Sequence, residues 1–177
     1  MAARDRAAFA EFVAARSSSL HRAAYLMVGD VGLAQDLVQE ALTKTYVAWP
    51  RLRDPANADA YTRKAIMTTA ITWFRKKSWN SERAAAVVPD GISEGHADRV
   101  VVRTSLMEAL AQLPPRQRAV IVLRYYEDLT EAQIAGVLGC AAGTVKSQAS
   151  AALTKLRDLL GDALDLSDLT TSEGVPA

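Results

Sequence analysis

Two stretches of this 177-residue chain set side chains at spacings suited to holding nucleic acid. In the first, Thr130 to Leu156, a helix starting near Ala142 would carry Val145, Ala149, Ala152, Leu153 and Leu156 on one stripe. Gly143, Ser147, Ser150, Ala151 and Thr154 fall on the other side. Small polar side chains permit close approach, and Lys146, Gln148 and Lys155 on the flanks can donate to phosphates or base edges, which suits a major groove. An ordinary solvated helix of an all-helical domain fits the same residues. In the second stretch, about Ala58 to Trp79, Tyr61, Trp73, Phe74 and Trp79 are interleaved with Arg63, Lys64, Arg75, Lys76 and Lys77. Cations neutralise phosphates, and ring faces stack on bases that have left a duplex. A core helix with buried rings and a solvated basic end is the competing account.

Such residues need elements to position them. Thr130 with Gln133 three residues on fits a capping box, Ile134, Val137 and Leu138 give the short helix an apolar side, and Gly139 can end it in the left-handed conformation. The whole stretch therefore reads as a helix-turn-helix. Upstream, a helix from about Arg6 to Val28 would bury Phe9, Phe12, Val13, Leu20, Ala24 and Met27 and end at Gly29-Asp30. The next, Val31 to Trp49, would bury Ala34, Leu37, Val38, Ala41, Leu42 and Trp49. Its outer row, Asp36, Gln39, Glu40 and Thr43, is either solvated surface or a face for a partner. Pro50 and Pro55 bracket an expected loop.

From Ala84 to Arg99 periodicity fails around Pro89, Asp90-Gly91 and Gly95, over a length unusual for a connection inside a compact domain. Helices of about Val100 to Gln112 and Arg116 to Tyr126 follow, broken at Leu113-Pro114-Pro115, with Val120, Ile121, Leu123 and Tyr125 or Tyr126 expected to pack on the helix-turn-helix. Strand signals are nearly absent. The expectation is an all-α protein with two small helical domains, 1–83 and 100–160, joined by a flexible linker, 84–99, and followed by an acidic tail, 161–177.

Composition narrows the function classes. At 50% hydrophobic residues the chain can build real cores, and a net charge of +1 does not by itself announce nucleic acid. The charge is segregated, however. Arg63, Lys64, Arg75, Lys76, Lys77 and Arg83 face a single acid, Glu82, whereas Asp162, Asp165, Asp168 and Glu173 in the tail face no base. The lone Cys140 excludes an intramolecular disulfide and a Cys-rich zinc site, and His21 and His96 have no companion ligands in sequence. With no Gly-rich phosphate loop, no metal-spaced cluster and no cysteine with a plausible histidine partner, the expectation is no enzyme, no cofactor and no metal. No apolar run approaches a membrane span and Met1 to Ala15 lacks a secretory pattern, so a cytoplasmic chain without a membrane partner is expected.

Taken in order, these stretches resemble the small two-domain RNA polymerase sigma factors of the extracytoplasmic-function type, in the sigma-70 family, and within them the actinobacterial-looking SigE group. The resemblance covers about Phe9 to Leu160. DLVQEALTKTYVAW (from Asp36) resembles the region 2 helix that such factors place on core polymerase, AYTRKAIMTTAITWFRKKSW (from Ala60) the segment that melts the -10 element, and LMEALAQLPPRQRAVIVLRYYEDLTEAQIAGVLGCAAGTVKS (from Leu106) the -35-reading region 4. It implies core polymerase, through its β′ clamp helices and β flap, and promoter DNA as partners, with an anti-sigma factor as a further candidate. It also implies that Asp36, Gln39, Glu40 and Thr43 meet polymerase, that Tyr61, Arg63, Lys64, Thr68, Trp73, Arg75 and Lys76 meet the -10 element, and that Thr144, Lys146, Ser147, Gln148, Ser150 and Lys155 meet the -35 element. Two departures stand out: Gln148 and Ala151 lie where family members usually carry arginines, and Thr68 where an asparagine is common. A stand-alone helix-turn-helix regulator binding an operator without polymerase is the alternative reading.

Overall fold

A computed structural model of the protein describes residues 3–52, 54–81, 99–161 and 166. Most of the expected linker and of the acidic tail lies outside the described residues, although Leu166 packs against the core. Helix α1 spans Ala3–Val28. Gly29 ends it at φ 73°, a left-handed value that costs glycine little, and its N–H meets Tyr25 O at 2.7 Å. Asp30 then opens α2, Val31–Leu52, by accepting the Leu33 N–H at 2.8 Å. α2 continues through Pro50, and Asp54 accepts the Ala56 N–H at 2.8 Å to start α3, Pro55–Ser81. The loop expected between the two prolines is thus short, because Pro55 stands in a helix's first turn, where its missing N–H would be unpaired anyway.

Leu20, Met27, Leu37, Val38, Ile66 and Met67 fill the space among these helices. Polar side chains are buried there too. The Thr45 and Thr62 hydroxyls lie 2.8 Å apart between α2 and α3, and each also bonds back within its own helix, to Ala41 O at 2.9 Å and Ala58 O at 2.7 Å. Fully partnered hydroxyls can be buried at little cost.

The second group comprises α4, Arg99–Ala111, α5, Pro115–Ile121, a π-helical turn, Val122–Tyr126, α6, Glu131–Leu138, and α7, Ala142–Leu160. The sequence suggested a plain α-helix as far as Tyr126, but the last turn is wider: the Glu127 N–H reaches back five residues to Val122 O at 3.1 Å. Asp128, at φ 51°, turns the chain toward the next helix. The capping box forms as read, with Gln133 N–H on Thr130 Oγ1 at 3.3 Å and Thr130 N–H on Gln133 Oε1 at 2.9 Å, and Gly139 closes α6 at φ 64°. No strand occurs among the described residues.

The two groups share one continuous buried cluster running from Leu20 through Met67 to Leu110, Leu123 and Leu156. Arg118, 5% exposed, sits at the seam. It donates to Met27 O at 2.6 Å, Ala111 O at 2.7 Å and Leu113 O at 3.3 Å, and its guanidinium lies 4.8 Å from the centre of the Phe74 ring. Met27 and Ala111 belong to the last turns of α1 and α4, so one cation meets the orphan carbonyls and negative dipole ends of two helices. Burial lowers its pKa to about 10, which still leaves it charged near neutrality. Arg118→Met keeps volume but strands these carbonyls. Since hydrogen bonds to a charged group contribute about 1.5–3 kcal/mol each and buried orphans cost about as much, urea unfolding should report a loss of roughly 2–4 kcal/mol.

Candidate nucleic-acid interface

Along α3, Tyr61, Lys64, Thr68 and Arg75 follow one another at spacings that keep them on one face, and all are exposed, as is Lys76. Thr72 falls on the same line between Thr68 and Arg75. The spacing alone could have added it to the expected set. Both hydroxyls bond back at 2.8 Å, Thr68 to Lys64 O and Thr72 to Thr68 O. The rings divide between the two readings that the sequence leaves open. Trp73 is half-buried against the core, Phe74 forms the shelf under Arg118, and the Trp79 side chain lies outside the described residues. Tyr61, 38% exposed, is therefore the exposed ring on α3 among the described side chains.

Arg63 points away from this stripe. Its Nη2 meets Asp59 Oδ2 at 2.6 Å and its Nε meets Glu127 Oε2 at 2.8 Å, while Asp59 also holds Arg16 Nε at 2.7 Å. Arg16, Asp59, Arg63 and Glu127 thus make an alternating ladder from α1 across α3 to the end of the π turn. Burial pushes the Glu127 carboxyl above its ordinary value, with Arg63 pulling it part of the way back. The desolvation that raises it also strengthens its coupling to the guanidinium.

On α7, Val145, Ala149, Ala152 and Leu156 are buried toward α5 and α6, and the opposite side presents Thr144, Lys146, Ser147 and Ser150 to solvent with Gln148 half-exposed beside them. Lys155 is exposed too, but its ammonium donates to Gln112 O at 2.6 Å, just past the end of α4. Of the two expected lysines of this face, Lys146 alone has no protein partner among the described residues. Small polar side chains with one free amine can read a groove closely, yet they neutralise few phosphates.

The row on α2 stands apart from both. Asp36, Gln39 and Thr43 are exposed and Glu40 is half-exposed, its carboxylate 2.8 Å from Lys44 Nζ, which also donates to Thr69 Oγ1 at 2.8 Å. Leu33, 47% exposed, and Val47, 75% exposed, extend the row at either end. A search for polar residues passes over them, and only their helical phase, Leu33–Asp36–Glu40–Thr43–Val47, places them there. The row thus combines exposed polar side chains with an exposed apolar residue at each end. No group of residues able to hold a metal ion, and no helix long and apolar enough to cross a membrane, occurs among the described residues.

Comparison with known proteins places these faces in context. Residues 12–80 match the family model for Sigma-70 region 2, and residues 103–156 that for Sigma-70, region 4. Over 155 residues the chain is 39% identical to an RNA polymerase sigma-E factor of Streptomyces coelicolor, covering 86% of this chain and 85% of that one. It is 32% identical over 141 residues to RNA polymerase sigma factor SigV of Bacillus subtilis, covering 77% and 81%. In structure it is similar to the sigma factor RpoE from Bartonella quintana, solved in complex with the anti-sigma factor NepR, with a TM-score of 0.70, 23% identity and coverage of 87% of this chain and 97% of that one.

Glu127 gives this region a pH signature. A carboxyl raised in the folded state binds its proton more tightly there than in the unfolded chain, so its contribution favours folding at low pH and is lost as pH climbs through the raised value. Glu127→Gln removes the titration while keeping an acceptor for Arg63. Relative to wild type, its melting temperature should be higher at pH 8 than at pH 4, and a difference that is flat with pH would contradict the burial argument.

Proposed function

The chain belongs to the sigma-70 family of RNA polymerase sigma factors, and we propose that it binds core polymerase through α2 and directs initiation by melting the -10 element on α3 and reading the -35 element with α7. Residues 1–83 form the polymerase-binding and -10 domain in this reading, 84–99 the linker, 100–160 the -35 domain and 161–177 an acidic tail. The chain carries out no reaction of its own and works in the cytoplasm, with the β′ clamp helices and β flap of core polymerase, promoter DNA and an anti-sigma factor as its partners. The observation that carries the reading is the order of three different faces on one chain: a polar row with apolar ends, an exposed stripe of cations with an aromatic ring, and a helix-turn-helix. A stand-alone operator-binding regulator would use the last of these and leave the α2 row unexplained.

Strand separation costs a few kcal/mol per unstacked base, and stacking on an aromatic side chain returns about 1–3 kcal/mol per base. Tyr61 is better placed for that role than Trp73, whose half-buried ring also supports the fold. Asp36, Gln39, Glu40 and Thr43 supply the polar part of the polymerase contact, and Leu33 and Val47 the apolar part. At the -35 element, Gln148 and Ala151 in place of two cations lower the expected salt slope by about 2 relative to a chain that neutralises two more phosphates.

Run-off transcription with purified core polymerase on a panel of promoters tests the assignment, and absence of polymerase-dependent initiation would favour the operator-binding regulator. Two variants separate the faces. Asp36→Ala combined with Glu40→Ala should weaken polymerase association roughly tenfold or more with the helical content unchanged, and wild-type affinity in the folded double variant would remove α2 from the interface. Tyr61→Ala should reduce open-complex formation by roughly tenfold while sparing polymerase binding, and equal loss of both would reassign α3.

A further inference from the structure

The outer face of α7 is short of cations, and the groups it offers in their place distinguish one base from another. Thr144, Gln148 and Ala151 stand at i, i+4 and i+7, so they form one row along the helix, beside the buried stripe of Val145, Ala149 and Ala152. Lys155 continues the row, but its ammonium is held by Gln112 O at 2.6 Å. Lys146 is two residues from Gln148, about 200° around the helix, and so lies on the other flank, where Arg157 follows it about three turns on. Both of these cations are exposed. The row itself is left with a hydroxyl, an amide and a methyl group.

Between the flanks, the hydroxyls of Ser147 and Thr154 donate inward, to Thr144 O at 2.9 Å and to Ser150 O at 3.0 Å. An oxygen whose proton is spent in this way turns only lone pairs outward. Guanine presents two acceptors to the major groove, N7 and O6, and is matched by a guanidinium or ammonium with several donors. Adenine presents an acceptor and a donor side by side, N7 and the N6 amino group, and an amide carries the complementary pair. The Gln148 amide is half-exposed and has no protein partner among the described residues.

We propose that Gln148 and Ala151 make the -35 contact of this chain selective for A·T pairs. The Gln148 amide takes one adenine through N6 and N7, and the Ala151 methyl packs on the C5-methyl of a thymine one or two base pairs away. Lys146 and Arg157 hold phosphates and read no sequence. This rests on α7 being the helix that enters the major groove at the -35 element. Residues three apart on a helix have Cβ atoms about 5–6 Å apart, and base pairs follow one another at about 3.4 Å, which sets the separation of the two contacts. Selectivity comes chiefly from Gln148, because two parallel bonds fix the base as well as its orientation.

A change of specificity tests this. The full chain, bound to purified core polymerase, is run on a promoter library randomised across the -35 element with the -10 element held constant, and the transcribed templates are sequenced. The wild-type chain should favour adenine over guanine about tenfold at one position. Gln148→Arg should move that same position to guanine, and Gln148→Ala should leave it without preference. Ala151→Ser, which sets a hydroxyl against the thymine methyl, should weaken a thymine preference one or two positions away and leave the adenine position as it was. Both side chains stand outside the core, so circular dichroism should report unchanged helices in all three variants. A wild-type preference for guanine at the position that Gln148→Arg alters would overturn the proposal. So would a preference that both Gln148 variants leave in place, or a gain with Gln148→Arg that is equal on every template, the mark of a phosphate contact. If the wild-type chain never supports polymerase-dependent initiation, the functional reading itself fails, and this inference with it.

Discussion

Arg118 is a permanent charge held away from water with no carboxylate paired to it among the described residues, and the helices around it are packed to meet that requirement. Its hydrogen-bond partners among the described residues are backbone oxygens at or just past helix ends, where carbonyls lack an intrahelical donor, while its Nε has no such partner. The C-terminal turns of α1 and α4 consequently have to converge on one point, with Phe74 offering a ring face as the third side. Once α1, α3 and α4 are fixed relative to one another, the buried side chains of α5, α6 and α7 have a wall to pack on. Burial of apolar surface supplies most of the stability. The guanidinium adds directional bonds that join α1, α4 and the chain just past α4.

The ladder of Arg16, Asp59, Arg63 and Glu127 works in a similar way. Its Arg16–Asp59 end is partly exposed and contributes little strength, since solvent screens it. Its Arg63–Glu127 end is nearly buried, where desolvation consumes much of the Coulombic gain. What such a ladder supplies is register: alternating signs on α1, α3 and the π turn match in one alignment and repel in a slipped one.

Periodicity and capping residues made the helices legible from the chain alone. Thr130, Gln133 and Gly139 predict α6 because a capping box and a left-handed terminus are local, and the buried stripe of α7 follows from 3.6-residue spacing. What could not be read depends on neighbours distant in sequence. Arg63 looks like a phosphate ligand until Glu127, 64 residues away, comes to meet it. Lys155 is likewise diverted to Gln112 O. For Trp73 and Phe74 the sequence leaves stacking and burial both open, and it takes the cluster and Arg118 to show that these rings pack inward. Thr45 and Thr62 are buried as each other's partners, a pairing across two helices that neither position announces by itself. Leu33 and Val47 were hidden for the opposite reason, as apolar residues whose helical phase faces outward.

The π turn at Val122–Tyr126 amounts to one residue more than an α-helix needs for the same rise. It works as a phase adjuster between two rigid rods. Everything after it, from Asp128 to the end of α7, is aimed by that surplus residue, while α5 before it keeps its ordinary α-helical pitch. Because each residue advances an α-helix by about 100°, a chain shortened by one residue here would keep the buried stripes and the caps yet point α7 elsewhere. Spacing, as much as chemistry, is under constraint at this turn.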